Sequence, residues 1–339
     1  MRRTRRGSSA LLGAVLVTLL ALAGCGSSSE SGSESASAAD EGPWSYRSSN
    51  GTMVKTEKTP RRIIAHADAA ASLLTYGIRP VGIFGNEQPK DNKNLKGQDL
   101  SGIEVIGTAW GEVDVEKAAE LRPDLIVSDW WPAEKAYGGF ENGVKAKSKK
   151  LSRLAPVIGG AQGRSIVTLL EYYEGLAASL GANVDDPKLA VDKKAFEEAV
   201  AGFEKVTADK VGLTAMAVSP ADDLLYVAVP KYAPELLDFR SWGLDVLEPD
   251  SPEKSFPYWE NLSWENADKY QPDLLLVDDR SYPANLKTAQ KQPTWAKLKA
   301  VKADAVVPWP GFWVHAYGAY AEELTKLSKA LAKADPDVA

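Results

Sequence analysis

Residues Trp110–Asp129 read WGEVDVEKAAELRPDLIVSD, and residues Trp259–Asp278 read WENLSWENADKYQPDLLLVD. The two stretches align without a gap, and identical residues fall at Trp110/Trp259, Glu116/Glu265, Ala118/Ala267, Pro123/Pro272, Asp124/Asp273, Leu125/Leu274 and Asp129/Asp278. Each copy predicts the same local unit of capped helix, turn and strand. Asp114 and Ser263 stand where a helix N-cap belongs, so their side-chain oxygens can accept from first-turn amides. Pro123 and Pro272 end each helix, because the residue before a proline is pushed out of the helical region. Three or four apolar residues then enter a sheet. A unit that occurs twice in one chain predicts two related lobes.

Working outward, short apolar runs alternate with helical segments on either side of the first copy. Strands are expected at 62–65, 81–84, 105–107, 125–127 and 157–158, with a helix over 67–76 closed by Gly77. Such alternation implies a mostly parallel sheet covered on both faces. Leu189, Phe196, Val200 and Phe203 recur at helical spacing among lysines and glutamates, which predicts one long helix over 187–210. A second α/β set follows, with strands at 213–218, 274–277 and 305–307, a hairpin at 224–229 and a last helix over 316–332. The expected fold is α/β, with two Rossmann-like lobes joined by a single helix and a ligand cleft between them.

The ends of the chain read differently. Arg2, Arg3, Arg5 and Arg6 precede an apolar run from Ala10 to Leu22, which is too short to span a bilayer and reads as an export signal. It closes on Leu22-Ala23-Gly24-Cys25, which resembles the bacterial lipobox whose cysteine is acylated. Cys25 is the only cysteine, so neither an internal disulfide nor a multi-cysteine metal site can form. Serine, glycine, alanine and glutamate dominate the stretch that follows, so it reads as a tether with little to bury. The expected organisation is a signal over 1–24, lipidated cysteine and linker over 25–43, a first lobe over 44–185, the connecting helix over 186–210 and a second lobe over 211–335. The net charge is −6, and loss of the four signal arginines takes the mature chain to −10, which argues against a nucleic-acid partner.

With these stretches in view, a family resemblance can be stated. The pair VDVEKAAELRPDLIVSD and LSWENADKYQPDLLLVDD is similar to the helix-turn-strand unit found once per lobe in the iron-siderophore and cobalamin class of ABC-transporter substrate-binding lipoproteins. These are the periplasmic binding proteins with a helical backbone. The similarity extends to Pro60–Ile83, Trp242–Pro249 and Trp295–Val307. It implies a ferric siderophore as ligand, of hydroxamate type, with cobalamin, haem or another organic solute as alternatives. It also implies an ABC permease dimer with its ATPase as partner, an outer-face location through the lipid anchor, a monomer, and no cofactor beyond iron held inside the siderophore. One departure is the opening turn of the first helix, where Ala69, Ala70 and Ala71 replace the usual polar residue.

Candidate residues follow from position and chemistry. The resemblance makes Glu116 and Glu265 the permease-docking acids, although a first-turn acid also stabilises its own helix by about 0.3–1 kcal/mol. Trp110 and Trp259 each precede a glutamate by six residues, and the resemblance sets them opposite one another across the cleft. After the repeated strands the lobes diverge, with Trp130 and Trp131 in the first and Arg280 in the second. Aromatic walls plus a forked guanidinium suit a carbonyl-rich ligand, although Arg280 can equally pair with Asp278 or Asp279. Tyr258 and Trp313 lie in loops and are cleft candidates, as is His66 after the first strand. His66 and His315 are the only histidines, too few for a three-histidine zinc site. A secreted hydrolase using His66 with Asp68, or Ser219, is the alternative of a different class. No G-x-S-x-G, H-E-x-x-H or phosphate-loop motif supports it.

Overall fold

The computed structural model describes residues 42–334. Cys25 and the signal therefore lie outside the described residues, as does most of the 25–43 linker. The chain opens with a hairpin of β1 (Trp44–Arg47) and β2 (Met53–Thr56), then β3 (Ile63–His66), α1 (Ala67–Thr75), β4 (Gly82–Phe84) and β5 (Glu104–Gly107). Next come α2 (Val115–Glu120), β6 (Leu125–Val127), a two-residue ribbon of β7 (Trp130–Trp131) and β8 (Ala136–Tyr137), β9 (Val157–Ile158) and α3 (Ile166–Ser179). The long helix α4 (Pro187–Asp209) follows. Beyond it lie β10 (Thr214–Pro220), β11 (Leu224–Ala228), α5 (Pro234–Ser241), β12 (Asp245–Val246), β13 (Trp259–Ser263) and β14 (Leu274–Asp278). The chain finishes with α6 (Ala284–Gln290), α7 (Lys299–Lys302), β15 (Val306–Trp309) and α8 (Tyr317–Leu331).

The first sheet has the order β5-β4-β3-β6-β9 and is parallel throughout. Its strands are apolar on both faces because both are covered. Ile63, Ala65, Leu125 and Val127 turn into one core with α1 and α3. Ile64 and Ile126, one residue out of phase, turn into another with Ala118 of α2. Gly159 permits the tight approach beyond β9: a Cβ there would fall 1.7 Å from the Ser128 carbonyl oxygen.

The second sheet, β13-β11-β10-β14-β15 with β12 beside β10, is mixed. Here β11 runs antiparallel to both neighbours, while β14 lies parallel to β10 and β15. The α/β architecture with two lobes is thus as expected, with a purely parallel sheet in the first lobe only.

The repeated Pro-Asp turn does one job twice. Asp124 donates its N–H to the Arg62 carbonyl at 3.0 Å and accepts from the Arg61 and Arg62 amides at 2.9 Å, fixing the start of β3. Asp273 donates to the Thr214 carbonyl at 3.0 Å and accepts from the Thr214 amide at 2.8 Å, fixing the start of β10. The helical half of the unit diverges. Asp114 caps α2, accepting from the Lys117 amide at 3.1 Å. In the second copy only a 3-10 turn forms, Trp264–Asn266, and the Ser263 side chain caps no amide. The expected second helix is corrected to a single turn, because the preceding residues are drawn into β13 by pairing with β11.

Helix α4 starts where its sequence says it should, with Asp186 accepting from the Lys188 amide at 2.8 Å and Pro187 in the first turn. Phe196 and Phe203 bury its inner face against Tyr320 and Phe239.

Candidate functional site

In open α/β sheets ligands bind beyond the carboxyl ends of the strands, and here those ends carry the chemistry-bearing groups of both lobes. His66 ends β3, and Trp130 and Trp131 follow β6; Asp278 and Trp309 end β14 and β15. Aromatic rings from the two lobes meet there. Trp131 lies edge-on to Tyr258 with ring centroids 5.6 Å apart, and 5.8 Å from Phe312. Tyr258 in turn touches Tyr232 at 5.3 Å and Phe256 at 4.9 Å, and the Phe256 side chain is half exposed. The Arg280 guanidinium sits over Phe312 at 5.3 Å.

Phe312 is held in an unusual conformation, with φ of +64°, which bulky residues rarely adopt. Strain of this kind costs about 1–3 kcal/mol and needs compensation. The Phe312 N–H donates to the fully buried Glu235 carboxyl at the start of α5. Burial raises the Glu235 carboxyl to about 8, and its second oxygen has no hydrogen-bond partner among the described residues. A neutral acid beneath the aromatic floor is therefore the form present at neutral pH.

Buried polar ties cross from lobe to lobe behind this floor. His315 Nε2 lies 2.7 Å from Asp129 Oδ2, and both residues are almost completely buried. Asp129 also accepts from Gln162 at 2.6 Å and from Tyr173. Burial opposes charge on His315, yet the Asp129 carboxylate overcomes it and lifts the imidazole to about 9. Asp238 of α5 accepts from the Ile166 amide at the start of α3 and from the Tyr320 hydroxyl, both at 2.9 Å. Lys93 bridges to Asp279 at 2.8 Å.

The sequence candidates divide into several groups. Trp131, Tyr258 and Arg280 are brought together. His66 closes the first-lobe side, edge-on to Phe84 at 5.3 Å and 3.4 Å from Asp68. Burial works against charge on His66 as well, and the Asp68 contact raises it nonetheless. Asp68 is an acid in the first turn of α1, so the opening turn is not stripped of polarity as the alanines had suggested. Trp130 lies edge-on to Tyr137 across the β7–β8 ribbon, with ring centroids 5.1 Å apart. Trp110, at the edge beyond β5, is 51% exposed, its ring against Gly143.

Trp259 requires a correction. It opens β13 instead of standing in a loop, is 9% exposed, and packs on Trp309 and Phe312. The cause is the β10–β11 hairpin, absent from the first lobe, which recruits 259–263 as a partner strand.

Arg280 spends much of its fork on Asp278, its closest contact being 2.6 Å, so the pairing alternative holds. Trp313 donates from Nε1 to Asp279 at 2.7 Å and lines a separate cavity of about 580 Å³ between α1, α4 and α8. Lysines and acids, among them Lys93, Lys326, Asp192 and Glu323, share that cavity's wall with apolar residues such as Leu74 and Leu189. Glu116 and Glu265 both lie on the surface, and Glu116 sits 3.8 Å from Lys147. The sequence reading missed Glu235, Lys93 and Glu141; each is defined by a neighbour far away in the chain, and no local pattern marks them.

Two α/β lobes with facing aromatic groups at their strand ends define a binding protein whose ligand site draws on both lobes. The chain belongs to the periplasmic binding protein family (Peripla_BP_2), whose model matches residues 85–311. It is 31% identical to DesE, a ferric-siderophore receptor protein from Streptomyces coelicolor, with a TM-score of 0.77 over 86% of this chain and 99% of that one. It is 24% identical to the Fe(3+)-citrate-binding protein YfmC of Bacillus subtilis, over 86% of each chain. A 151-residue stretch, 43% of this chain and 42% of the relative, is 34% identical to the iron(3+)-hydroxamate-binding protein FhuD of the same organism. The family is one of substrate-binding proteins, not enzymes. Among the described residues no helix is long and apolar enough to cross a membrane.

Proposed function

We propose that this chain is the extracytoplasmic binding component of an ABC importer and that it captures a ferric siderophore of hydroxamate type. The observation that carries the reading is the meeting of Trp131 with Tyr258 and Phe312 across the lobes, beside Arg280. Flat, stiff rings bury a bulky ligand with little loss of rotamer freedom. The unspent N–H groups of the Arg280 fork can reach hydroxamate carbonyl oxygens. The siderophore itself coordinates the iron, so the protein supplies shape and hydrogen bonds. His66, Trp130 and Trp110 complete the list of proposed contacts at this crevice, Trp313 is a proposed contact only from the neighbouring cavity that it lines, and Trp259 would act from beneath the floor.

Delivery calls for a partner on the membrane. Glu116 and Glu265, one exposed acid per lobe in corresponding positions of the duplicated unit, are the proposed contacts with the two halves of a permease dimer, whose ATPase supplies the energy. Cys25 is the proposed lipid attachment that keeps a monomeric protein at the outer face of the cell membrane.

The test is tryptophan fluorescence of the purified protein titrated with a ferric trihydroxamate. Saturable, stoichiometric quenching is expected. Saturation by haem or cobalamin, with none by any ferric siderophore, would sink the reading.

A further inference from the structure

Arg280 and Phe312, which meet at the aromatic floor, each stand next to a residue that faces elsewhere. Asp279 precedes Arg280 and Trp313 follows Phe312, and both line the cavity of about 580 Å³. Trp313 Nε1 donates to Asp279 Oδ1 at 2.7 Å, so these two side chains join the loops that carry them. Atoms that border a cavity lack packing partners on that side. Polar contacts therefore decide how firmly the two loops are held there. One such contact comes from the opposite lobe. Lys93, in the segment between β4 and β5, places its ammonium 2.8 Å from Asp279 Oδ2 and 5.7 Å from the centre of the Trp313 ring. A single cation thus touches both loops. The segment that carries it is fastened beside it, because the Asn94 amide donates to Asp68 Oδ1 at 3.0 Å and lies 3.4 Å from His315 Nδ1. This ion pair is also shielded from water: the Asp279 side chain is 6% exposed and that of Lys93 31%. Without the ammonium, Asp279 would keep the Trp313 N–H but lose the one ion pair it makes among the described residues. Removing one partner of a buried pair disrupts a structure far more than removing one partner of an exposed pair.

We infer that Lys93 is a positioning residue for the crevice: from the first lobe it holds, through Asp279, the two second-lobe loops that present Arg280 and Phe312. Its effect on a bound siderophore rests on the reading above, whereas its hold on the loops does not. Lys93 acts without touching the ligand, since its ammonium is spent on Asp279 and Trp313. When that hold is lost, the loops can shift toward the cavity, and the floor no longer keeps one shape for the ligand to meet.

The experiment compares hydrogen–deuterium exchange of the ligand-free protein with that of Lys93→Met, which keeps the length of the side chain without its charge. Backbone amides of 279–282 and 311–315 should exchange about tenfold faster, while the strands of the second sheet exchange as before. A ferric trihydroxamate should dissociate about tenfold faster from the variant. Lys93→Arg should restore most of both properties. With Asp279→Asn already in place, adding Lys93→Met should change little more, because the two residues act as one. Unchanged exchange at 279–282 and 311–315 in Lys93→Met would overturn the inference. Uniform acceleration across the second lobe would do the same, since it would reduce Lys93 to general stability. So would faster dissociation with unchanged exchange, which would put Lys93 on the ligand itself, or fully additive effects of the two substitutions. If the exchange responds as expected but the unaltered protein binds no ferric trihydroxamate, the hold on the loops stands and the siderophore reading falls.

Discussion

Trp131 and Trp259 look alike in sequence but answer mutation differently. Trp131 is half-buried at the junction of the lobes, so Trp131→Ala should lower ligand affinity by about tenfold or more while the fold survives. Trp259 lies against Trp309 and Phe312 inside the second lobe. Trp259→Ala should therefore cost about 3–5 kcal/mol of stability, seen as an earlier midpoint in urea unfolding. Equal loss of affinity with unchanged midpoints in both variants would contradict this division. The surface acids make the complementary prediction. Glu116→Ala combined with Glu265→Ala should leave ligand titration unchanged and abolish uptake by cells; weaker titration would remove them from the docking face.

At the level of elements, the Pro-Asp turns are the most informative feature of the duplication. Asp124 and Asp273 each satisfy amides at the start of a central strand, and Asp273 adds an ion pair to Lys299 at 2.7 Å. Asp273→Ala strands the part-buried Thr214 donors, and a loss of about 1–3 kcal/mol is expected in urea denaturation; Asp124→Ala, whose partners are exposed to water, should cost less, about 0.5–1.5 kcal/mol. Gly159→Ala drives a methyl into the Ser128 carbonyl and should cost about as much or more.

The helix-turn-strand unit, the connecting helix and the alternating lobes were legible because each rests on local signals: a cap, a proline, a 3.6-residue period. The shrinkage of the second helix to one turn was not legible. It follows from strand pairing between 224–228 and 259–263, which no window of sequence contains. The same limit applied to the site. Loop position and residue type pointed to Trp131, Tyr258 and Arg280, whereas Glu235 and Lys93 acquire their roles only from neighbours contributed by other elements.

For the molecule as a whole, the lobe junction makes stability depend on pH in one direction. The His315 imidazole, disfavoured by burial but held by Asp129, titrates near 9 when folded and near 6.5 when unfolded. Its contribution is complete below pH 6.5 and disappears as pH rises through 9. Burial lifts the Glu235 carboxyl to about 8 and the Asp238 carboxyl to about 6, so these groups also bind protons more tightly in the folded protein. Their contribution is present below their unfolded values near 4 and is lost as pH climbs through 6 and 8. The thermal midpoint should accordingly fall between pH 6.5 and 9, by about 2–4 °C for each kcal/mol lost. In His315→Gln the descent above pH 8 should flatten; an unchanged slope would show that the imidazole does not set it.

Helix α4 has 23 residues, which makes it about 34 Å long at 1.5 Å per residue. A rod of that length resists a wide swing of the lobes, so the spacing of the two surface acids should change little with cargo. Under the docking reading, empty and loaded carriers would then fit the same transporter almost equally well. The flow of iron into the cell would depend on what fraction of the carriers is filled, and unfilled ones would compete for the entrance.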